Sequence, residues 1–244
     1  MNRSDLPRPS TTMLVDLNSE AAYAARGETA RKAPRLLPVP YETVAPDPGR
    51  LLLEPWRKNL SLYPQLYFIV DHDVPVGDEA ALRGAVRGLG LGLAFSDDGI
   101  LLASPDPSPR DRHMCYWYSL YSDSSQVLAD ALTPGLAARD LTLTIESPTL
   151  GRHVFDQSVL LFDPDELLRE MNCFVAFAAG DLISLGAAGA PLAVPADRPF
   201  APGETITVSC EALGTLAIAV DDRRDPGRIL PGWTPRDYYY HPGR

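Results

Sequence analysis

The segment between residues 112 and 123 concentrates side chains that could transfer protons or hold a planar ligand. It contains a histidine and several tyrosines, namely His113, Tyr116, Tyr118 and Tyr121, and it ends at Asp123. Histidine or tyrosine can act as a general acid, and aromatic rings can form walls against which a substrate stacks. The alternative is a loop whose aromatic residues pack on the rest of the fold. The sequence leaves both interpretations open.

A second candidate is the triplet Asp71-His72-Asp73, in which two carboxylates flank an imidazole. A general base of this kind needs its imidazole oriented by a neighbouring acceptor. The triplet follows an apolar run and precedes Val74-Pro75, which is typical of a turn. An exposed turn is therefore the favoured interpretation.

The chain has three cysteines, Cys115, Cys173 and Cys210, and no CxxC spacing. Cys115 lies two residues from His113, but no recognisable Asp or Asn would orient the imidazole, so support for a thiol nucleophile is weak. Cys173 and Cys210 lie in apolar runs and are predicted to be unreactive core residues. An odd number of cysteines in a chain of this length favours a reducing compartment, and we expect a cytoplasmic location.

Three glycines, Gly88, Gly90 and Gly92, form the motif GLGLG. A dinucleotide-binding fingerprint would need a G-x-G-x-x-G turn that opens a helix. Here the glycines continue into LAFS, which has the character of a strand. We therefore predict close backbone packing within a strand and no phosphate loop.

Charge and hydropathy exclude two classes of partner. The formal net charge is −10 and the isoelectric point is ≈ 4.8, whereas phosphate binding depends on clustered Lys and Arg. No stretch approaches the roughly 18 apolar residues of a membrane span, and the N-terminus lacks the apolar region of a signal peptide. We expect a soluble protein that binds neither nucleic acid nor membrane. Lysine occurs only at Lys32 and Lys58, and this preference for arginine favours a GC-rich bacterial source.

Hydrophobic periodicity predicts many short strands and few helices. Leu141, Leu143 and Ile145 alternate with polar residues, as in a half-buried strand. Asp163, Pro164 and Glu166 have the pattern of a capped helix start. The other predicted strands are 66–70, 88–95, 180–185, 205–210 and 214–220, and the other predicted helices are 19–26 and 78–86.

This order of elements predicts a β-rich α+β fold with few helices. Residues 1–50 are rich in Pro and Arg and are predicted to be an N-terminal arm or small extension. Residues 51–220 form the predicted main domain, and residues 221–244 form a charged, Pro-rich tail.

Several turns fall in an order that resembles the C-terminal part of the fumarylacetoacetate hydrolase family. The chain has Gly-Asp-x-Ile at residues 180–183, Gly186, Pro-Gly-Glu at 202–204 and Leu-Gly-Thr-Leu at 213–216. In the family, a Gly-Asp-x-Ile strand precedes a substrate loop, a Pro-Gly-(Asp/Glu) turn and a Leu-Gly-Thr-Leu turn into the last strand. The resemblance extends over residues 62–220 and implies a mixed β-sandwich or roll.

The resemblance also implies where a metal would bind in the family's enzymes. A Glu-x-Glu-Leu strand and a downstream Asp supply carboxylates to Mg²⁺ or a similar hard cation. The corresponding positions here hold Tyr63, Gln65 and Ala94, while Leu120 stands at the family's Lys and Asp123 at the Asp beyond it. Neutral side chains offer a divalent cation almost no compensating charge, so we expect no metal and no other cofactor.

The family's substrate loop corresponds to the residues that follow Ile183. The Thr, Thr and Pro that are usual there are replaced by Leu185, Ala187 and Ala188, which implies an apolar pocket for a larger, more hydrophobic ligand. The residues predicted to bind substrate are Tyr121, Asp123, Leu185, Gly186 and Ala187. The residues predicted to be catalytic are Tyr63, Gln65, His113, Tyr116 and Tyr118.

Three functional hypotheses follow from the resemblance. The first is a metal-independent enzyme of bacterial specialised metabolism, with lyase, isomerase, dehydratase or cyclase chemistry on a carbonyl-rich, polyketide-like intermediate. The second is a non-catalytic protein of the same fold, either a ligand-binding protein or a partner subunit. The third is a metal-dependent hydrolase or hydratase whose ligands lie at other positions. By analogy with the family, we expect a homodimer that binds a small molecule.

Overall fold

The computed structural model describes residues 2–6, 8–30, 32–45, 49–53, 59–97 and 125–222. Its α-helices are α1 (Glu20–Ala25) and α2 (Pro164–Asn172), and short 3₁₀ helices cover Arg3–Asp5, Tyr41–Thr43, Ala138–Asp140 and Gln157–Val159. Its strands are β1 (Thr12–Val15), β2 (Leu36–Pro38), β3 (Val44–Ala45), β4 (Gly49–Leu53), β5 (Leu60–Val70), β6 (Val86–Asp97), β7 (Gln126–Leu128), β8 (Thr142–Ser147), β9 (Gly151–Asp156), β10 (Leu182–Ser184), β11 (Leu192–Ala193), β12 (Thr205–Cys210) and β13 (Gly214–Asp222).

The strands form two sheets that pack against each other. The larger sheet has the order β2-β1-β10-β5-β6-β7-β3, with β11 also paired to β5, and the smaller has the order β4-β13-β12-β8-β9. Antiparallel pairing of β5 with β6 runs from Leu60 opposite Asp97 to Ile69 opposite Gly88 and provides the longest ladder. The predicted β-rich α+β fold with few helices is confirmed.

Strand β5 is buried on both of its faces. Leu66 and Phe68 belong to the core cluster between the two sheets, whereas Tyr63 and Tyr67 belong to clusters on the opposite face. Burial of both faces explains why the strand is an almost continuous apolar run rather than an alternating one. The few polar side chains on the outer face of this strand, such as Gln65, are therefore exceptional.

The glycines of β6 permit close packing across the large sheet, as predicted. A Cβ atom on Gly90 would lie 2.4 Å from the ring of Tyr67, and one on Gly92 would lie 2.7 Å from Cδ2 of Leu128. Any larger residue at these positions would displace the neighbouring side chain. The motif GLGLG thus leaves space for neighbouring side chains to pack against β6.

The helix predicted over residues 19–26 and the helix predicted to start at Asp163 are both present. Ser19 caps α1, since its Oγ accepts a hydrogen bond from the Ala22 N–H at 3.1 Å. Asp163 Oδ1 accepts from the Glu166 N–H at 2.9 Å, and Glu166 Oε2 accepts from the Asp163 N–H at 2.8 Å. This reciprocal pair is the capping box that the sequence of α2 predicts.

The predicted helix over residues 78–86 is wrong, because this segment is a series of turns. The carboxylate of Asp78 accepts hydrogen bonds from the backbone N–H groups of Ala80 and Ala81, each at 3.0 Å. Gly84 then adopts a φ of +70°, and β6 begins at Val86. The left-handed residue ends the helical turn before a second turn can form.

The segment predicted to be an N-terminal arm or small extension contributes β1, β2 and β3 to the large sheet, and β4 of the small sheet begins at its end. β1 pairs in parallel with β10, and β4 pairs in parallel with β13. Asp181 fixes the start of this arrangement: its Oδ1 accepts hydrogen bonds from Ser10 Oγ at 2.8 Å and from the Thr11 N–H at 2.7 Å. The N-terminal residues are therefore part of the folded core.

Two smaller predictions have different outcomes. Asp71-His72-Asp73 forms a turn in which the side chains of Asp71 and His72 are 45% and 42% exposed, as predicted. Cys210 is buried as predicted, but Cys173 is exposed. Cys173 is the C-cap residue of α2. The apolar residues around it in the sequence extend beyond the helix, so they do not place Cys173 on the buried face.

In the described part of the chain, no helix is long and apolar enough to cross a membrane.

Candidate functional site

A small cavity lies on the outer face of β5 and β6. Tyr63 and Gln65 are two residues apart on β5 and therefore point to the same face, and Ala94 lies directly opposite Tyr63 on β6. The described residues that line the cavity are Leu14, Asp16, Arg26, Tyr63, Gln65, Ala94 and Ala187. The structure thus brings together Tyr63, Gln65 and Ala187 from the residues predicted from the sequence.

Two charged residues of the N-terminal segment, Asp16 and Arg26, complete the lining. Asp16 follows β1, which the sheet places beside β10, and Arg26 is the C-cap residue of α1. Sequence reasoning missed both residues. The pairing of β1 with β10 joins segments more than 160 positions apart, so no local pattern signals it.

Arg26 holds the phenol of Tyr63 in place. Its Nη2 donates a hydrogen bond to Tyr63 Oη at 2.5 Å, and its guanidinium carbon lies 5.8 Å from the centroid of the tyrosine ring. Ser96 Oγ also donates to Tyr63 Oη, at 3.2 Å. Because Tyr63 is only 6% exposed, these contacts are made away from bulk water and fix the ring orientation.

A second arginine, Arg35, binds the carboxylate of Asp16. Its Nη1 donates to Asp16 Oδ2 at 2.8 Å, and its Nη2 forms an ion pair with Glu28. Burial raises the pKa of Asp16 above its usual value, and the positive charges of Arg26 and Arg35 only partly oppose this effect. The arginines Arg26 and Arg35 and the carboxylates of Asp16 and Glu28 balance in formal charge.

Gln65 is the most unusual polar residue of the cavity. It is completely buried, and neither Nε2 nor Oε1 has a hydrogen-bond partner among the described residues. An unsatisfied buried polar group costs about 1–3 kcal/mol, so its presence in a strand interior requires an explanation. Gln126, opposite Ala94 on β7, has the same property but does not line the cavity.

The cavity between the described lining residues is small. Its volume is ≈ 10 Å³, about the space that one water molecule requires. The apolar pocket for a larger, more hydrophobic ligand stays a prediction.

Two of the predicted substrate-binding residues, Leu185 and Gly186, do not line the cavity. Ser184 pairs with Tyr67 on the outer face, so the next residue, Leu185, points to the opposite side and belongs to the core between the sheets. Gly186 adopts a φ of +72° and lies against the backbone of β1. A Cβ atom at position 186 would lie 2.2 Å from the carbonyl oxygen of Val15, so only glycine fits there.

The remaining predicted site residues lie outside the part of the chain that the structure describes. They are His113, Tyr116, Tyr118, Tyr121 and Asp123, together with Leu120.

The described side chains that line the cavity do not fit a divalent cation. Within the described ranges there is no group of three or more His, Cys, Asp or Glu side chains that could hold a metal ion. Asp16 lines the cavity but is already bound to Arg35, and Arg26 adds positive charge at Tyr63. Mg²⁺ and similar ions need several oxygen ligands that carry negative charge.

We therefore expect Mg²⁺ or Mn²⁺ at millimolar concentration to change the melting temperature by less than about 1 °C. An ion present at 100 times its Kd would add about 2.7 kcal/mol to the stability of the folded protein. In a chain of this size that corresponds to a shift of roughly 5–10 °C. Differential scanning fluorimetry with EDTA as the reference measures this shift. Saturable calorimetric binding of either ion at micromolar concentration would contradict the prediction.

The two-sheet fold matches that of known proteins. Residues 112–221 match the model of the family described as fumarylacetoacetate (FAA) hydrolase C-terminal. The resemblance inferred from the turn motifs is therefore confirmed. A comparison with curated protein sequences finds no match.

Solved structures support the same fold over most of the chain. The 5-carboxymethyl-2-hydroxymuconate delta-isomerase of Mycobacterium smegmatis is 19% identical, with a TM-score of 0.68 over 88% of this chain and 80% of that chain. A putative family protein of Yersinia pestis CO92 has a TM-score of 0.72 at 15% identity, with coverages of 88% and 94%. Fumarylpyruvate hydrolase of Pseudomonas aeruginosa, solved with Mn²⁺ and pyruvate, has a TM-score of 0.67 at 18% identity, with coverages of 88% and 91%.

Proposed function

We propose that this chain is an enzyme of the fumarylacetoacetate hydrolase fold that acts on a small carbonyl-rich molecule without a metal ion. The reaction class is isomerase, lyase, dehydratase or cyclase chemistry driven by acid and base groups. The observation that carries the proposal is the completely buried Gln65, whose amide has no partner among the described residues and lines a cavity with Tyr63 and Arg26.

The chemistry of these three groups supports the proposal. An amide N–H can donate a hydrogen bond to a carbonyl oxygen that gains negative charge in the transition state. The guanidinium of Arg26 supplies a fixed positive charge next to Tyr63 Oη. In a buried site such a charge stabilises an oxyanion, which is the task of a Lewis-acidic metal in other enzymes. Isomerisation needs such groups together with a proton acceptor.

The setting of the proposed enzyme rests on composition and analogy. The preference for arginine over lysine favours a bacterial source, and we place the enzyme in specialised metabolism. We propose a cytoplasmic homodimer, because the family to which residues 112–221 are similar provides the analogy.

A second candidate is a non-catalytic ligand-binding protein or partner subunit of the same fold. The volume of ≈ 10 Å³ between the described lining residues favours it, since a substrate needs more space than a single water molecule. A binding protein would still gain from satisfying Gln65 with a ligand. Turnover, rather than binding, separates the two candidates.

The test is an assay of the EDTA-treated protein against a panel of 2-oxo acids, acylpyruvates and 1,3-dicarbonyl compounds, followed by proton NMR. We expect isomerisation, elimination or carbon–hydrogen exchange of at least one compound, with no gain from Mg²⁺ or Mn²⁺. Hydrolysis of simple acylpyruvates is not expected. The variant Cys173→Ser is a matched control and should keep full activity, because Cys173 is exposed at the end of α2.

Two results would contradict the proposal. Activity that appears only after addition of a divalent ion would favour a metal-dependent hydrolase or hydratase. A compound that raises the melting temperature but is never converted would favour the non-catalytic protein.

A further inference from the structure

Asp16 is the acidic residue among the described residues that line this cavity. It follows β1 and lines the cavity together with Tyr63 and Gln65. Its side chain is 5% exposed, so a substrate bound there would meet the carboxylate without competing bulk water. No other carboxylate of the described residues lines this cavity.

The two oxygens of the Asp16 carboxylate have different environments. Oδ2 accepts a hydrogen bond from Arg35 Nη1 at 2.8 Å, which fixes the orientation of the group. Oδ1 accepts no hydrogen bond from the residues that the structure describes. A base in a pre-organised site needs this arrangement, with one atom held and the other available to a proton.

The charges around Asp16 favour reversible protonation. The groups that face it are Arg26 from the end of α1, Arg35 from the segment before β2, Glu28 between them and the phenol of Tyr63 on β5. Burial raises the pKa of Asp16, which makes the carboxylate a stronger base than an exposed aspartate. When Asp16 takes a proton from a neutral carbon acid, the negative charge moves to the substrate and the total charge of the cavity is unchanged.

We propose that Asp16 removes a proton from a substrate carbon and returns it to another carbon of the same molecule. This inference rests on the proposed function. The C–H bond breaks, its electron pair forms an enolate, and the proton resides on Asp16 Oδ1. The enolate oxygen accepts a hydrogen bond from Gln65 Nε2. Delivery of the proton to the second carbon restores the carboxylate, so no oxidant, reductant or water is consumed.

The strength of the base defines the substrate class. A carboxylate removes protons only from strongly stabilised carbon acids, even when burial raises its pKa. The substrate therefore carries its acidic carbon between two carbonyl groups, or next to a carbonyl that is conjugated with a double bond. Uncharged 1,3-dicarbonyl compounds are the simplest members, and they require no further positive charge in a cavity whose described charges already balance.

Deuterium exchange at carbon tests this assignment. The full-length protein is incubated in D₂O with 1,3-diketones and acylpyruvates at mildly acidic pH, and loss of the C–H signal is followed by NMR against an enzyme-free blank. Asp16→Asn should lower the enzyme-dependent exchange rate by about 10²–10⁴-fold. The matched control Glu146→Gln removes an exposed carboxylate of β8 that does not line the cavity. It should keep the rate within about threefold of the wild-type value.

Failure of this inference is distinguishable from failure of the proposed function. Wild-type exchange that persists in a folded Asp16→Asn variant overturns the role of Asp16 but leaves the enzyme proposal intact. Absence of both exchange and turnover in the wild type overturns both. If Asp16→Asn does not fold, the wild-type pH profile decides, because the exchange rate should fall on acidification through a pKa above 3.8, the ordinary value for aspartate. An acid limb at or below that value would reject Asp16 as the base.

Discussion

Replacing Gln65 with methionine should make the protein more stable and less active at the same time. The amide of Gln65 is completely buried and has no hydrogen-bond partner among the described residues, so an apolar side chain of similar length removes a desolvation cost. The gain should be about 1–3 kcal/mol, or a rise in Tm of roughly 2–12 °C. Loss of a hydrogen-bond donor to the developing oxyanion should reduce turnover by about 10²–10³-fold.

The matched control for this prediction is Gln126→Met. Gln126 is 1% exposed and its amide also has no partner within the described ranges, but it does not line the cavity. It should show a similar gain in Tm with unchanged activity. Thermal denaturation and the NMR assay measure the two effects on the same samples. A Gln65→Met variant that is destabilised and fully active would show that the amide serves the fold and not the reaction.

Opposite signs of the two effects would identify Gln65 as a functional residue. Ordinary core residues lose stability when they are replaced, and any loss of activity follows from that. A residue that is retained for binding can be unfavourable for the fold, since stability and activity are then in conflict. Gln65 lies between Tyr63 and Tyr67 on the outer face of a strand whose other face is entirely apolar.

Local sequence signals correctly predicted both α-helices and six of the thirteen strands of the described residues. The capping box at Asp163 and Glu166 predicted α2, and period-two alternation predicted β8, because these signals depend on neighbouring residues alone. The segment 78–84 was mispredicted because its apolar spacing suits one face of a helix. The side chain of Asp78 and the positive φ of Gly84 instead favour turns.

The candidate site was only partly predictable, since it is assembled from distant segments. The register inferred from the family resemblance placed Tyr63, Gln65 and Ala94 together, and they do line one cavity. Asp16 and Arg26 reach that cavity only because β1 pairs with β10, and this pairing depends on tertiary packing. The alternation of side chains then decided that Leu185 faces the core and Ala187 the cavity.

The pairing of β1 with β10 thus has a functional consequence. It carries a carboxylate and, through α1, a guanidinium to the face of the sheet where Tyr63 and Gln65 lie. Two arginines of this site lie over aromatic rings, Arg26 over Tyr63 and Arg35 over Tyr23. In each pair the guanidinium carbon is 5.8 Å from the ring centroid. A residue that controls the fit of β1 against the sheet should therefore control the site as well.

Gly186 is that residue, and Gly186→Ala should destabilise the protein by about 2–5 kcal/mol. A φ of +72° costs an L-residue roughly 1–2 kcal/mol. In addition, the new Cβ atom would lie 2.2 Å from the carbonyl oxygen of Val15. Because this oxygen belongs to the backbone of β1, no change of side-chain rotamer can relieve the clash. Overpacking of this kind typically costs a further 1–3 kcal/mol.

Gly135→Ala separates the two contributions, because Gly135 has a φ of +73° but no atom within 4 Å of the new Cβ. It should lose only the roughly 1–2 kcal/mol of the backbone term, with unchanged activity. Urea denaturation gives the free energy of unfolding of both variants. The difference between the two losses measures how tightly β1 is held against residue 186. Because β1 leads directly to Asp16, the Gly186→Ala variant should also lose exchange activity under conditions where it remains folded. Equal destabilisation of the two variants would mean that β1 moves away at no cost, and that the position of Asp16 does not depend on this contact.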